Sequence, residues 1–149
     1  MHEELPDLLT LLNFVRQTPG STHKALCRFG TVSPELAQRV QQVIGLDTEA
    51  FAFTLDSYGM RHALNGHGHE RGSPDVFPLF EADLLALPGW LPAPPVVLAS
   101  HPPKNPLQPR RIRFERPELF SPLKTVVILE VRTGRRQFAL VTLYKTKTD

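Results

Sequence analysis

Eight prolines fall within the 22 residues from Pro88 to Pro109, with Pro94-Pro95 and Pro102-Pro103 adjacent. Proline fixes φ and donates no backbone hydrogen bond, so neither a long helix nor a central strand can run through such a stretch. Only Val96-Val97-Leu98-Ala99 leaves room for a brief strand. The tract is read as an ordered, extended connector between two parts of one domain, and the hydrophobic period differs on its two sides.

Ahead of the connector the spacing is helical. Ser33-Pro34-Glu35 opens a helix with Leu36, Val40, Val43 and Ile44 on one face, Ser33 as N-cap, Pro34 at the first helical position and Gly45 past the end. A weaker pattern predicts a helix over Leu5 to Arg16, ended by Thr18-Pro19-Gly20, and another short one over His23 to Phe29. Phe51 to Leu55 alternates briefly. Asp56-Ser57 then caps a helix from Tyr58 towards Leu64, which Asn65-Gly66 breaks. Phe80 to Leu87 reads as a short helix stopped by Pro88-Gly89.

Beyond the connector the period becomes two. Arg111 to Phe114 alternates, Thr125 to Val131 is rich in β-branched residues, and Gln137 to Tyr144 forms a further strand joined through a Thr133-Gly134 hairpin. Helices followed by strands point to an α+β class: N-terminal helices packed on a twisted antiparallel β-sheet formed by the C-terminal half. The 149 residues suit one domain, with residues 1–50 as a helical N-terminal part and residues 51–149 as a core that holds the sheet.

The net charge of +2 conceals an asymmetry. Residues 1–100 hold 6 Lys/Arg against 11 Asp/Glu, whereas residues 101–149 hold 11 against 4. So dense a basic segment can attract a polyanion through phosphate contacts or serve as a solvated strand face. No run approaches the roughly 20 apolar residues of a membrane helix, and the acidic start Met1 to Asp7 lacks the character of a secretory signal. The expected location is the cytoplasm. Cys27 is the lone cysteine, which excludes an intramolecular disulfide and a four-cysteine zinc site. Trp90, Phe120 and Phe80 are expected in the core rather than as a base-stacking platform.

The richest chemistry lies in Tyr58 to Glu70, where His62, His67 and His69 place three of the six histidines within eight positions. Imidazole exchanges protons near neutral pH, so a turn that folds His67 back towards His62 would pair a general base with a general acid. In RNA cleavage one imidazole takes the proton of the ribose 2′-hydroxyl and the other protonates the leaving 5′-oxygen, in either assignment and without metal or other cofactor. Two alternatives stand beside this. The histidines can be ordinary surface and loop residues, or His62, His67, His69 and Glu70 can ligate zinc, although their spacing is not that of H-E-x-x-H.

On the last strand, strict alternation puts Phe138, Leu140, Thr142 and Tyr144 on one face and Ala139, Val141, Leu143 and Lys145 on the other. Thr142 and Tyr144 can hold a phosphate between them, with Lys145 or Arg135 neutralising charge on its oxygens. Arg61, Arg111, Arg113, Arg135 and Arg136 are the candidate phosphate-binding residues; a guanidinium binds phosphate but does not deprotonate.

The order Arg61-His62 to His67-Gly68, then Glu70, Asp83-Leu84, and strands ending in Thr142, Tyr144 and Lys145 resembles the phage and polymorphic-toxin nucleases of the barnase, EndoU, colicin and RelE-like group. Such domains occur at the C-terminus of head-morphogenesis proteins similar to phage Mu F. The resemblance spans about residues 51–146; the proline-rich connector departs from it. It implies an endoribonuclease with His62, His67, Thr142, Tyr144 and Lys145 as catalytic residues and RNA, with tRNA as one candidate, as substrate. It also implies a toxin or phage-associated role, delivery as part of a larger protein, and a cognate immunity protein as partner. A non-catalytic RNA-binding or virion-associated module is the alternative from another class, and a zinc-dependent hydrolase is the third.

Overall fold

The computed structural model describes residues 3–18, 23–64, 81–102 and 104–148. Its first helix, α1 (Leu8–Gln17), begins later than the spacing suggests. Asp7 caps it: the carboxylate accepts hydrogen bonds from the Thr10 N–H and hydroxyl, both at 2.8 Å. Glu3–Leu5 is released to form strand β1. Helix α2 (Pro34–Ile44) has the expected ends: Ser33 Oγ accepts from the Leu36 N–H, and Gly45 closes the helix at φ 73°, a left-handed conformation that glycine adopts without strain.

The segment read as a short helix over His23 to Phe29 is instead strand β2 (Ala25–Thr31). Ala25 and Cys27 are buried while Arg28 points to solvent, and pairing with strands on both sides overrides the weak local preference of Ala-Leu-Cys. Burial, with Asp7 and Glu4 nearby, pushes the Cys27 thiol up to about 11.

After β3 (Ala52–Asp56) come α3 (Ser57–His62), α4 (Glu81–Leu85) and α5 (Leu87–Trp90), then β4 (Val96–Ala99), β5 (Arg110–Pro117), β6 (Leu123–Arg132) and β7 (Gln137–Lys147). Pro88-Gly89, expected to stop a helix, lies inside α5. Pro88 falls in its first turn, where a missing N–H costs nothing. The connector is pinned to α2 by Arg39, which donates to the carbonyls of Pro94 at 2.7 Å and Pro95 at 3.3 Å.

The fold is α+β, and among the described residues the strands form one seven-stranded sheet of order β1-β2-β3-β7-β6-β5-β4. The sheet is not confined to the C-terminal half and is mixed rather than antiparallel. Strands β1–β3 add to it from the N-terminal part, with β1 parallel to β2 and β3 parallel to β7, while β4 to β7 are paired antiparallel.

One face of the sheet, the inner face, joins α1, α2, α4 and α5 in a single hydrophobic core that includes Leu11, Val40, Leu84, Trp90, Phe114 and Leu143. At its centre Phe53, Phe114 and Phe138 meet edge to face, with ring centroids 5.6 to 6.4 Å apart. Trp90 is in the core as expected, with the Arg116 guanidinium 5.2 Å from its ring centre. Phe120 is not: it stands fully exposed in the turn between β5 and β6. Phe80 lies outside the described residues.

Candidate functional site

The face of β7 changes along its length. Leu129 pairs with Leu140 but Ile128 pairs with Thr142, so Val141 is an extra residue in a β-bulge. The bulge reverses the phase. Phe138, Leu140 and then Leu143 and Lys145 face the core side, whereas Thr142 and Tyr144 face the opposite, outer side. Simple alternation had grouped Thr142 and Tyr144 with Phe138 and Leu140; the bulge separates them.

The outer face of the neighbouring strands is set by register. Arg111 lies opposite Glu130, Arg113 opposite Ile128, and Glu115 opposite Val126. Arg132 Nε holds Glu130 at 3.0 Å, while Arg111 approaches the same carboxylate only to 3.6 Å and is the looser partner. Glu115 is nearly buried between Arg113 and Lys124, with Lys124 Nζ at 3.0 Å. Burial works against its charge, but the hydrogen bonds from Lys124 and Arg113 outweigh burial and hold the carboxyl below its usual range. Arg111, Arg113, Lys124 and Arg132 thus share two carboxylates, and the outer face keeps a positive excess.

Helix α3 brings His62 to this face. The parallel pairing of β3 with β7 ends at Thr54 and Ala139, and α3 starts at Ser57, directly after the last residue of β3 and three residues beyond Thr54. The Asp56 carboxylate accepts from the Gly59 N–H at 2.6 Å as the cap, and Ser57 Oγ accepts from the Ala25 N–H at 3.1 Å. A Cβ on Gly59 would lie 3.0 Å from Leu55 Cδ1, 3.2 Å from Asp56 Oδ1 and 3.3 Å from the Leu140 carbonyl. Glycine lets α3 sit this close to β7, and any side chain there would require these neighbours to give by a few tenths of an ångström. On the solvent side the Tyr58 and His62 rings stack, 6.5 Å apart and inclined by 10°.

The result is a cleft of about 430 Å³ in which His62 and Tyr58 of α3 face Arg111, Glu130, Arg132 and Thr142. A second cleft, of about 490 Å³, adjoins it across Arg111 and Thr142 and is lined by Arg113, Tyr144, His101 and Lys104. Five of the expected residues, His62, Thr142, Tyr144, Arg111 and Arg113, therefore lie on one surface although they come from three distant parts of the chain. The sequence does not single out His101. Its position between prolines marks it as connector, and only the return of the chain past β4 brings it beside Arg111.

Other expected residues are elsewhere. Lys145 is on the inner face, 9% exposed, with Nζ 3.0 Å from Asp83 and 2.7 Å from Glu118. Burial would lower its pKa, but those two carboxylates outweigh burial and raise it. Arg61 donates to the carbonyl and hydroxyl of Thr18 at 3.1 and 3.2 Å, tying α3 to the end of α1. Arg136 lies over Phe51 and donates to the Glu49 carbonyl, and Arg135 lines a separate cleft at the β6–β7 turn. His67, like His69 and Glu70 of the zinc alternative, lies outside the described residues. Among the described residues no three His, Cys, Asp or Glu side chains are grouped as metal ligands.

In chemical terms the outer face offers an imidazole, a hydroxyl and a guanidinium around one cleft. That set can bind a phosphodiester oxygen and exchange a proton beside it. Compared with protein-family models, with curated proteins and with solved structures, the chain matches none of them.

Proposed function

We propose that the protein is a metal-independent endoribonuclease that cuts RNA by attack of the 2′-hydroxyl on the adjacent phosphate. The observation that carries this reading is the cleft that joins His62 to Arg111 and Thr142. Arg111, only loosely engaged by Glu130, binds a non-bridging phosphate oxygen. Thr142 and Tyr144 donate hydrogen bonds to the charge that grows on the pentacoordinate phosphorus centre. His62 supplies one of the two imidazoles, and His67, five residues on, is the candidate for the other. The 2′-oxygen forms its bond to phosphorus as one imidazole takes its proton. The bond to the 5′-oxygen breaks as the other imidazole protonates it, leaving a 2′,3′-cyclic phosphate and a 5′-hydroxyl.

Lys145 has no part in this scheme, because Asp83 and Glu118 hold it on the other side of the sheet. An enzyme of this kind needs restraint in the cell that makes it, and an acidic immunity protein laid over the cationic outer face would provide that. The test is turnover of a labelled oligoribonucleotide by wild type, His62→Ala and Arg111→Ala. With the fold intact the expected loss is about a hundredfold or more for either variant, from a missing general acid or base in His62→Ala and from a missing charge-stabilising donor in Arg111→Ala. Undiminished cleavage by both variants would refute the assignment.

A further inference from the structure

The second cleft extends the first. On β7 the His62 cleft reaches Thr142 from the Leu140 side, and its neighbour continues from Thr142 to Tyr144. On β5 the two meet at Arg111, and the neighbour continues to Arg113. Their shared residues make them one track that crosses the strands from α3 to the end of β4. β4 is three inter-strand steps from β7, about 14 Å at the usual spacing of about 4.8 Å. That length exceeds a single stacked nucleotide step of roughly 3.4 Å.

The two ends of the track differ in what they offer. At the α3 end Tyr58 is 73% exposed, and its ring lies parallel to His62, giving a flat π-face at the cleft rim. At the β4 end His101 and Lys104 are exposed cationic or protonatable side chains beside Arg113. Aromatic faces receive only bases free of a partner strand, while basic side chains follow the phosphates.

Resting on the endoribonuclease reading, we infer that the cleft of His101, Lys104 and Arg113 is a second nucleotide subsite, which makes single-stranded RNA of three or more nucleotides the substrate class. His101 and Lys104 hold the phosphate next to the one being cut, and the base at the other end stacks on Tyr58. A duplex offers no unpaired base to that platform and binds more weakly.

The experiment is fluorescence anisotropy of the whole protein with 2′-O-methyl oligoribonucleotides of one, two, three and five residues and with a short duplex, none of which can be cut. Affinity is expected to rise about tenfold from two residues to three and then level off, since that step gains one more phosphate contact and its salt dependence. His101→Ala combined with Lys104→Ala, both surface changes, should remove that rise and leave the affinity for the dinucleotide unchanged. A rise that survives in the double variant, or a duplex that binds as tightly as the single strand, would overturn the inference. If mononucleotides bind but length adds nothing, the subsite fails while the reading of the first cleft stands. If no oligonucleotide binds at all, both readings fail together.

Discussion

Gly59→Ala probes how α3 presents His62. In an exposed helix interior this change is favourable by about 1 kcal/mol, because alanine restricts the unfolded chain and favours helix. Here the added Cβ would meet Leu55 Cδ1 at 3.0 Å, the capping Asp56 Oδ1 at 3.2 Å and the Leu140 carbonyl at 3.3 Å. The leucine methyl can rotate away. The carbonyl belongs to β7 at the edge of the bulge and cannot, and moving Asp56 loses the 2.6 Å cap bond to residue 59. Overpacking of this kind costs about 1–3 kcal/mol, so after the gain of about 1 kcal/mol the balance is a loss of up to about 2 kcal/mol. For a chain of this length that is a fall in Tm of up to about 6 °C. α3 must also shift away from β7, carrying His62 from Thr142, so cleavage should fall further than the folded fraction does. Thermal unfolding and turnover measured on the same sample separate the two effects. A gain in stability of about 1 kcal/mol with full activity would refute the packing argument.

Other expectations follow from single contacts. Lys145→Met removes the cation that Asp83 and Glu118 share; urea unfolding should show a loss of about 2 kcal/mol, reduced from the cost of a fully buried pair by partial exposure. Oligonucleotide affinity per folded molecule should not change in that variant. Glu115 and Glu118 both have their folded pKa lowered, Glu118 chiefly by its hydrogen bond from Lys145. Their contribution is therefore full above the ordinary glutamate value of 4.5 and is lost as pH falls below it. Lys145, raised above 10.5, contributes below that pH and loses its contribution as pH rises past it. A stability curve that stays flat from pH 5 down to about pH 3 would contradict the first of these. Ser33→Ala removes the α2 cap and should cost about 1 kcal/mol in chemical denaturation, with no change in cleavage.

Strands β5 to β7 are legible because β-branched residues alternate there and Thr133-Gly134 marks the hairpin, and α2 because its cap, proline and glycine agree. β2 is hidden by Ala25-Leu26-Cys27, which carries no β-branched residue and gains its strand form from pairing on both sides. The bulge is hidden for a different reason. Ala139-Leu140-Val141 is apolar throughout, so nothing in it shows that the phase slips, and alternation groups Thr142 and Tyr144 with Phe138 and Leu140; Lys145 is drawn into the site by its charge alone. The histidine on α3 was visible from its cluster. Its partner surface on β5 was visible as charge, but His101 was concealed by its prolines. Arg61 has the look of a phosphate ligand, yet Thr18, 43 residues away, occupies it.

The central claim is a two-proton RNA cleavage centred on His62, and the most direct test is the chemistry of the product ends formed in excess EDTA. Purified protein should cut a single-stranded oligoribonucleotide to a 2′,3′-cyclic phosphate and a 5′-hydroxyl, and replacing the one ribose at the cut by 2′-deoxyribose should stop cleavage there. Products ending in 5′-phosphate, cleavage at the deoxyribose position, or activity seen only when a divalent metal is added would contradict it.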